Sequence, residues 1–277
     1  MRPRSVIHRT EAAAVAFDGE VADRGRYLVY KTPKNPGYHW GNYLLYPGPP
    51  TVADADPERG WIADFRREFP GGLPRDRVTL AWDVLDGAEG ATDAFLAQGF
   101  VRDDSFGMVA GPATLVPGPR HNPEVVVRPL GAAREFAEAA RIVTAAFAEG
   151  ARGGSDEVRV FAERQLERYR AMAAAGFGVW YGASLEGALV GALGVIAVEE
   201  LGRYQLVATH PAAQRRGVCQ SLVYEAGRRA LAERRVRTLA IATATDGGAR
   251  SVYEAVGFRP DERLPALTRA RGPSPIR

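Results

Sequence analysis

"ATHPAAQRRGVCQSLVYEAGRRALAERR", Ala208–Arg235, sets a single glycine, Gly217, between a pair of arginines and the start of a helical pattern. Leu222, Val223, Ala226, Ala230 and Leu231 share one face at helical spacing, while Glu225, Arg228, Arg229 and Glu233 fall elsewhere. Upstream, "GRYQLVATHP" reads as a strand that stops at Pro211. Strand, short loop and helix in this order make an anion site. The first turn of a helix has unpaired backbone N–H groups and carries the positive end of the helix dipole. A glycine there lets successive amides point inward with no side chain in the way. Gln214, Arg215 and Arg216 would frame such a site with donors, Val218 would point into the core, and the small Cys219 would leave room for phosphate oxygens. Taken alone, QRRGVC fits an ordinary strand-to-helix turn with a solvated arginine pair at least as well.

The surrounding pattern supplies a context. Four prolines and two glycines in "GPATLVPGPRHNP", Gly111–Pro123, remove donors and helical periodicity together, as in a linker. After it come a short strand "EVVVRPL", two amphipathic helices over 131–150 and 156–176, and a hairpin whose turn is Leu185-Glu186-Gly187. Beyond the helix of the opening stretch lie a buried strand "RTLAIATA", a short helix "GGARSVYEAVGF" stopped by Gly257, and a last strand "ERLPALTRA". This alternation is that of a mixed α/β layer.

The 277 residues are 46% hydrophobic and 25% charged with a net charge of +3, which fits a globular chain of one or two domains and gives no electrostatic case for nucleic acid or membrane. The one cysteine excludes an internal disulfide and fits a reducing compartment. The apolar run "AAAVAF" between Glu11 and Asp18 is too short for a signal-peptide core, and the chain reads as cytoplasmic. Four histidines spread without paired spacing give no metal site.

The chain also resembles itself. "TLAWDVLDGAEGATDAFLAQGF" from Thr79 matches "TLAIATATDGGARSVYEAVGF" from Thr238 in its Thr-Leu-Ala start and its Gly-Phe end, at nearly equal spacing. A structural repeat would give both halves one fold, with Phe95 standing where Tyr253 stands. Upstream, Asp54, Asp56 and Glu58 would repel a phosphate from the first copy.

With these neighbours, the loop at Gly217 resembles that of the GNAT superfamily of acyl-CoA-dependent N-acetyltransferases, which has the form Gln/Arg-x-x-Gly-x-Gly/Ala after a strand ending near a proline. Gln214, Gly217 and Cys219 follow Pro211 here, with cysteine in the place of Gly/Ala. The family also shows an Asn seven residues before a Tyr on a short helix closed by Gly-Phe; Asp246 stands in the Asn position, ahead of Tyr253 and Gly257-Phe258. The resemblance covers about Val125 to Ala270. It implies two GNAT-like domains, each a mixed, mostly antiparallel sheet flanked by helices: residues 1–110 a degenerate copy, 111–123 a linker, and 124–277 the acetyl-CoA-binding catalytic domain. It further implies that Val207, Ala208 and Thr209 lie on the strand that pairs with the pantetheine arm. The loop Gln214, Arg215, Arg216, Gly217, Val218 and Cys219 would hold the pyrophosphate through backbone amides, and Asp246 would sit near the pantetheine or the thiol.

Acyl transfer from a thioester to an amine needs a base for the ammonium, a donor for the developing oxyanion and an acid for the leaving thiolate. Glu199 and Glu200, at the end of the strand from Ala188, are the candidate bases. A strand amide near Val207 or Ala208 would serve the oxyanion, and Tyr253 matches the family position of the acid. Tyr204 and Gln205, alternating on the cofactor strand, are candidates for an acceptor pocket. The expected reaction is acetyl transfer from acetyl-CoA to a primary amine of a small molecule or peptide by direct attack. The alternative is a non-catalytic acyl-CoA-binding or regulatory module, which Asp246 favours and Tyr253 opposes.

Overall fold

The computed structural model describes residues 1–148, 155–233, 236–245 and 247–270. It divides into two compact units, one made of Met1–Gly107 with the segment that begins at Asp261, the other of Met108–Pro260. No helix among the described residues is long and apolar enough to cross a membrane.

The first unit opens with helix α1 (Val6–Ala16), then strands β1 (Glu20–Asp23), β2 (Leu28–Lys31) and β3 (Tyr43–Tyr46), helix α2 (Trp61–Glu68), β4 (Val78–Trp82), the one-turn helix α3 (Asp93–Leu96) and β5 (Val101–Arg102), and β6 (Ser105–Ala110) runs across the division at Met108. The second continues with β7 (Val126–Pro129), α4 (Ala133–Ala148), α5 (Ser155–Ala174), β8 (Gly178–Leu185), β9 (Ala188–Val198), β10 (Leu201–Thr209), α6 (Val218–Glu233), β11 (Thr238–Ala244) and α7 (Ala249–Ala255). Strands β12 (Arg259–Leu264) and β13 (Ala266–Arg269) close the described chain.

Each half has its own sheet, and each sheet borrows a strand. The six-stranded sheet runs β1-β2-β3-β4-β13-β5, and the seven-stranded sheet runs β12-β6-β11-β10-β9-β8-β7. Thus β13, from the end of the chain, lies between β4 and β5, antiparallel to both, with Leu267 opposite Leu80 and Arg102. In return β6, from the first half, lies beside β11. The sequence reading placed "ERLPALTRA" wholly in a C-terminal domain of 124–277; its second half instead belongs to the first sheet. Alternation of apolar and polar residues identifies a strand but not the partner that will accept its hydrogen bonds.

The chain end is tied to the chain start within the first unit. The carboxylate of Glu262 accepts from the Val6 and Ile7 amides and from the Ser5 hydroxyl, at 2.8–3.1 Å. An acidic side chain thereby meets the positive end of α1. The core of this unit gathers Leu44, Tyr46, Trp61, Phe65, Leu80, Trp82, Phe95, Phe100 and Leu267, all buried.

The internal repeat is present in the backbone itself. Phe100 N donates to Phe95 O and Gly99 N to Leu96 O; Phe258 N donates to Tyr253 O and Gly257 N to Glu254 O. Gly99 and Gly257 both adopt positive φ, +81° and +96°. The two turns are the same structure, with phenylalanine in one copy where the other has tyrosine.

Leu267→Ala is expected to lower the stability of the first unit by about 2–5 kcal/mol, the usual result of emptying a buried leucine site. The measurement is urea unfolding followed by tryptophan fluorescence, since Trp61 and Trp82 share the Leu267 cluster. An unchanged midpoint would show that β13 contributes nothing to that sheet.

Candidate functional site

Strands β10 and β11 are parallel neighbours, but they pair only at Leu201–Thr238, Gly202–Leu239 and Arg203–Ala240. From Tyr204 on, β10 continues to Thr209 with no β11 residue in register. Among the described residues, the backbone groups on that edge are left without β11 ladder partners. One is satisfied internally: the Arg203 guanidinium donates to the Tyr204 carbonyl.

The other edge of β10 is also irregular. Gln205 pairs with Gly194 and Ala208 with Ala192 on β9, so Leu206 and Val207 together face Leu193. This is a β-bulge, and Leu206 takes a positive φ of +48° to make it. Val207, Ala208 and Thr209 therefore follow a kink, on the strand edge that β11 has left.

The loop after β10 ends in a run of backbone donors. Among the described residues, no acceptor is found for the amides of Arg215, Arg216, Gly217, Val218, Cys219 and Gln220. Arg215 and Gly217 both have left-handed backbone, φ +62° and +81°, around an arginine that does not. Such alternation curls successive amides toward one point, making an anion-binding concavity at the helix start. The arginines divide the work. Arg216 is ion-paired with Glu186, from the β8–β9 turn, whereas Arg215 is exposed and makes no ion pair among the described residues. Gln214 is exposed and Val218 is buried.

Gly217 also has a purely structural duty. A β-carbon there would lie 2.1 Å from the carbonyl oxygen of Arg120 and 2.9 Å from Cβ of Asn122. Those residues belong to the proline-rich 111–123 segment, which reads in the sequence as a linker but is bound along α6 and α7. Arg120 N donates to Gln220 Oε1, Asn122 N to Ser221 Oγ, Asn122 Nδ2 to the Arg216 carbonyl, and Val116 N to the Val256 carbonyl. Side chains on α6 thus satisfy a segment too rich in proline to form a ladder of its own.

Tyr253, on α7, is 6% exposed, and its hydroxyl has no hydrogen-bond partner among the described residues. Burial is the largest influence on it and, with the neighbouring Cys219 thiol, holds its pKa well above the usual tyrosine value. The phenol therefore stays protonated and able to donate at all ordinary pH values. Burial likewise pushes the Cys219 thiol up to about 11; a contact with the Thr209 hydroxyl, short of hydrogen-bond geometry, offsets part of the shift.

Two further sequence-based assignments come apart from the rest. Glu199 and Glu200 form the two-residue turn between β9 and β10, exposed to solvent, and the Glu200 carbonyl accepts from Arg237 N and Thr238 N. The bulge at Leu206 lies about 20 Å further along the strand at its usual rise. The structure does not bring these carboxylates to the splay. Tyr204 is 1% exposed and its hydroxyl donates to the Val223 carbonyl on α6, so it serves the core rather than a pocket. Asp246 lies outside the described residues. A groove of about 600 Å³ between α4 and α5, bounded by Phe136, Ala140, Thr144, Glu163 and Leu166, includes none of the splay or loop residues.

The first half shows what this architecture looks like when closed. Its parallel strands β3 and β4 pair at Leu44–Leu80, Leu45–Ala81 and Tyr46–Trp82, and Asp83 N goes on to donate to Tyr46 O. They are zipped to their ends. Gly60 precedes α2 as Gly217 precedes α6, but the amides before it are taken: Asp56 accepts from Glu58 and Arg59 through Oδ1 and from Gly60 through its carbonyl. Asp54 accepts from Thr51 in the same loop. Asp54 and Asp56 thus occupy loop donors directly. Trp61 stacks on Tyr46 with ring centroids 3.8 Å apart, filling the space beside the strands.

Splayed parallel strands, a bulge and a glycine loop at a helix start lie together on the second unit. Residues 176–260 match the family model "Acetyltransferase (GNAT) domain". The second unit carries a GNAT domain. Among solved structures, a functionally unknown conserved protein from Staphylococcus epidermidis superposes with a TM-score of 0.67 at 12% identity, covering 94% of this chain and 97% of that one. A GCN5-related N-acetyltransferase from Kribbella flavida gives 0.62 at 13% identity, covering 98% and 97%. A tandem GNAT protein from the clavulanic acid biosynthesis pathway gives 0.51 at 16%, covering 77% and 70%. These likenesses extend the GNAT fold over both halves of the chain. No match is found among curated protein sequences. At the level of the family, the chemistry is acyl-CoA-dependent acetyl transfer.

Two measurements follow from the site. Gly217→Ala is expected to destabilise the ligand-free protein by at least about 1 kcal/mol, because alanine is strained at positive φ and collides with Arg120; thermal melting without ligand reads it. Cys219 should react with iodoacetamide at pH 8 about two orders of magnitude more slowly than free cysteine, since a thiol with a pKa of about 11 has that much less thiolate.

Proposed function

We propose that the second unit transfers an acetyl group from acetyl-CoA to a primary amine by direct attack. The observation that carries this reading is the run of six amides, Arg215 to Gln220, for which no acceptor is found among the described residues, set at the end of a strand whose edge β11 leaves. A diphosphate supplies the negative oxygens this loop lacks, and the Arg215 side chain adds a free positive charge beside them. The edge of β10 at Val207, Ala208 and Thr209 suits an extended amide-bearing arm, which would make the strand contacts that β11 does not.

In the reaction, acetyl-CoA supplies the activated acyl group. A backbone N–H freed at the Leu206–Val207 bulge stabilises the charge that develops on the thioester oxygen. The phenol of Tyr253 holds its proton for the sulfur of the departing thiolate, its raised pKa keeping it in the acid form. Neither Glu199 nor Glu200 is placed to take the amine proton directly, so the amine enters in its neutral form or loses its proton to solvent.

Calorimetric titration of acetyl-CoA and desulfo-CoA tests the binding step. Because Gly217 has a structural duty, the better control is Arg215→Glu, an exposed change that is expected to weaken binding at least tenfold, or about 1.4 kcal/mol. Absence of binding by the wild type removes the reading altogether. Tyr253→Phe should lower kcat about 10²-fold and leave the acetyl-CoA Kd unchanged. In the wild type, kcat should show no loss of a required acid up to pH about 10, since the raised pKa moves that limb upward. Binding without amine-dependent thiol release would instead identify a non-catalytic acyl-CoA module.

A further inference from the structure

Resting on the acetyl-transfer reading, the geometry points to Trp180 and Gln205 as the pair that holds the acceptor, by donating hydrogen bonds to an oxygen close to its amine. The acceptor class is then an amine borne next to a carboxylate or carboxamide, as in an amino acid, an amino-acid amide or a peptide N-terminus, and not a plain alkylamine or polyamine.

Trp180 on β8, Gly194 on β9 and Gln205 on β10 lie in register across three antiparallel strands. Residues directly opposite one another share a face of the sheet, so Trp180 and Gln205 project together. Gly194 between them has no side chain. A β-carbon there would lie 2.3 Å from Trp180 Nε1, which means that the indole has reached across the middle strand. Its N–H therefore stands about one strand spacing, 4.8 Å, from Gln205.

The face they share is the one covered by α5. Tyr169 of that helix stacks on Trp180, centroids 4.8 Å apart, and its hydroxyl donates to Gln205 Oε1 at 3.1 Å. This is the side opposite α6, toward which Tyr204 points. The phosphate loop leads into α6; an amine attacking the same splay would come from the other side. Gln205 also has the right position along the strand, two residues beyond the last β10–β11 pair at Arg203 and immediately before the bulge.

The chemistry of the pair is one-sided. Gln205 is 4% exposed and Trp180 1%, yet Gln205 Nε2 and Trp180 Nε1 have no hydrogen-bond partner among the described residues. Tyr169 donates to Gln205 Oε1, and the NH₂ group of the same amide points away from that bond. Buried indole and amide N–H groups ordinarily find acceptors. Here two donors without partners among the described residues share one face of the sheet on either side of Gly194. Donors of this kind select an oxygen with lone pairs and offer nothing to an ammonium group. Arg203, whose guanidinium bonds the Tyr204 carbonyl at the head of the splay, adds positive charge that favours a carboxylate further.

The test uses the full chain. Acetyl-CoA is titrated first by calorimetry; if it does not bind, the acetyl-transfer reading fails, and this is seen before any amine is added. On the saturated complex, the indole N–H resonances of the four tryptophans are recorded, with Trp180 assigned by Trp180→Phe. Matched amines are then added: alanine, alaninamide and dialanine against ethylamine, and lysine against cadaverine. The proposal expects the carbonyl-bearing members to shift the Trp180 resonance downfield and the alkylamines to leave it in place. It also expects Gln205→Leu to raise the Kd or KM of the best amine at least tenfold while the acetyl-CoA Kd stays within twofold. Alanine, alaninamide and dialanine separate a free amino acid from a blocked carboxyl and a peptide end. Should acetyl-CoA alone saturate the shift, should alkylamines shift Trp180 equally, should no amine move it, or should Gln205→Leu leave the amine constants unchanged, the proposal is overturned.

Discussion

The parting of β10 from β11 after Arg203 and Ala240 is the constraint on which the rest of the second unit depends. A parallel pair that stays in register offers a ligand only side chains, because its backbone groups are used up. A pair that separates offers an edge. The price is a strand with unpaired amides inside a folded unit, and the surroundings are arranged to hold it open: a bulge on the opposite edge, an arginine capping one carbonyl, and the start of α6 pinned from outside by the 111–123 strap. Gly217 belongs to both sides of this arrangement. It lets the strap approach, and it lets the loop amides turn to face a common point.

The two halves form a natural comparison with backbone held constant. The turns at Phe95–Phe100 and Tyr253–Phe258 share their hydrogen bonds, so the copies diverged in chemistry rather than in path. In the first copy β3 and β4 stay paired to their ends, Asp56 takes up the loop amides, and a Tyr46–Trp61 stack fills the adjoining space. Phenylalanine, Phe95, stands where the second copy has Tyr253. Together they leave this part of the first half as packed core.

The sequence makes much of this legible because glycines and turn residues carry local geometry. The Gly217 loop, the strand before it and the repeat ending in Gly-Phe can all be read from spacing, and they lead to the fold. What stays hidden depends on partners far along the chain. "ERLPALTRA" alternates as a strand should, but nothing in its nine residues names β4 and β5 as its neighbours. The prolines of 111–123 suggest a spacer, and only Gln220, Ser221 and Asn122, brought together by folding, show it to be bound. The pair Glu199-Glu200 draws attention by charge, yet a two-residue hairpin turn is where charge is cheapest to place. Gln205, a polar residue in the run "YQLVA", gives a faint signal of its own; Trp180 gives none, since an indole in a strand reads as core.

The exchange of last strands bears on how the chain is made. The first sheet is complete only when residues 266–269 slide between β4 and β5, partners about 185 positions earlier in the case of Ala81 and Ala266. On a ribosome, β4 and the apolar face that includes Leu80 and Phe100 are synthesised early and then wait, with a strand-wide gap, for nearly the whole of the second half to emerge. Strand β6 waits in its turn for β11. Neither half can finish by itself, so the usual order in which an N-terminal domain folds before its successor is synthesised is closed to this molecule. An open strand edge held that long is an invitation to pair with a neighbouring nascent chain. The short length of β5 and the charged run around Arg102, Asp103 and Asp104 beside the gap are the features that would discourage it.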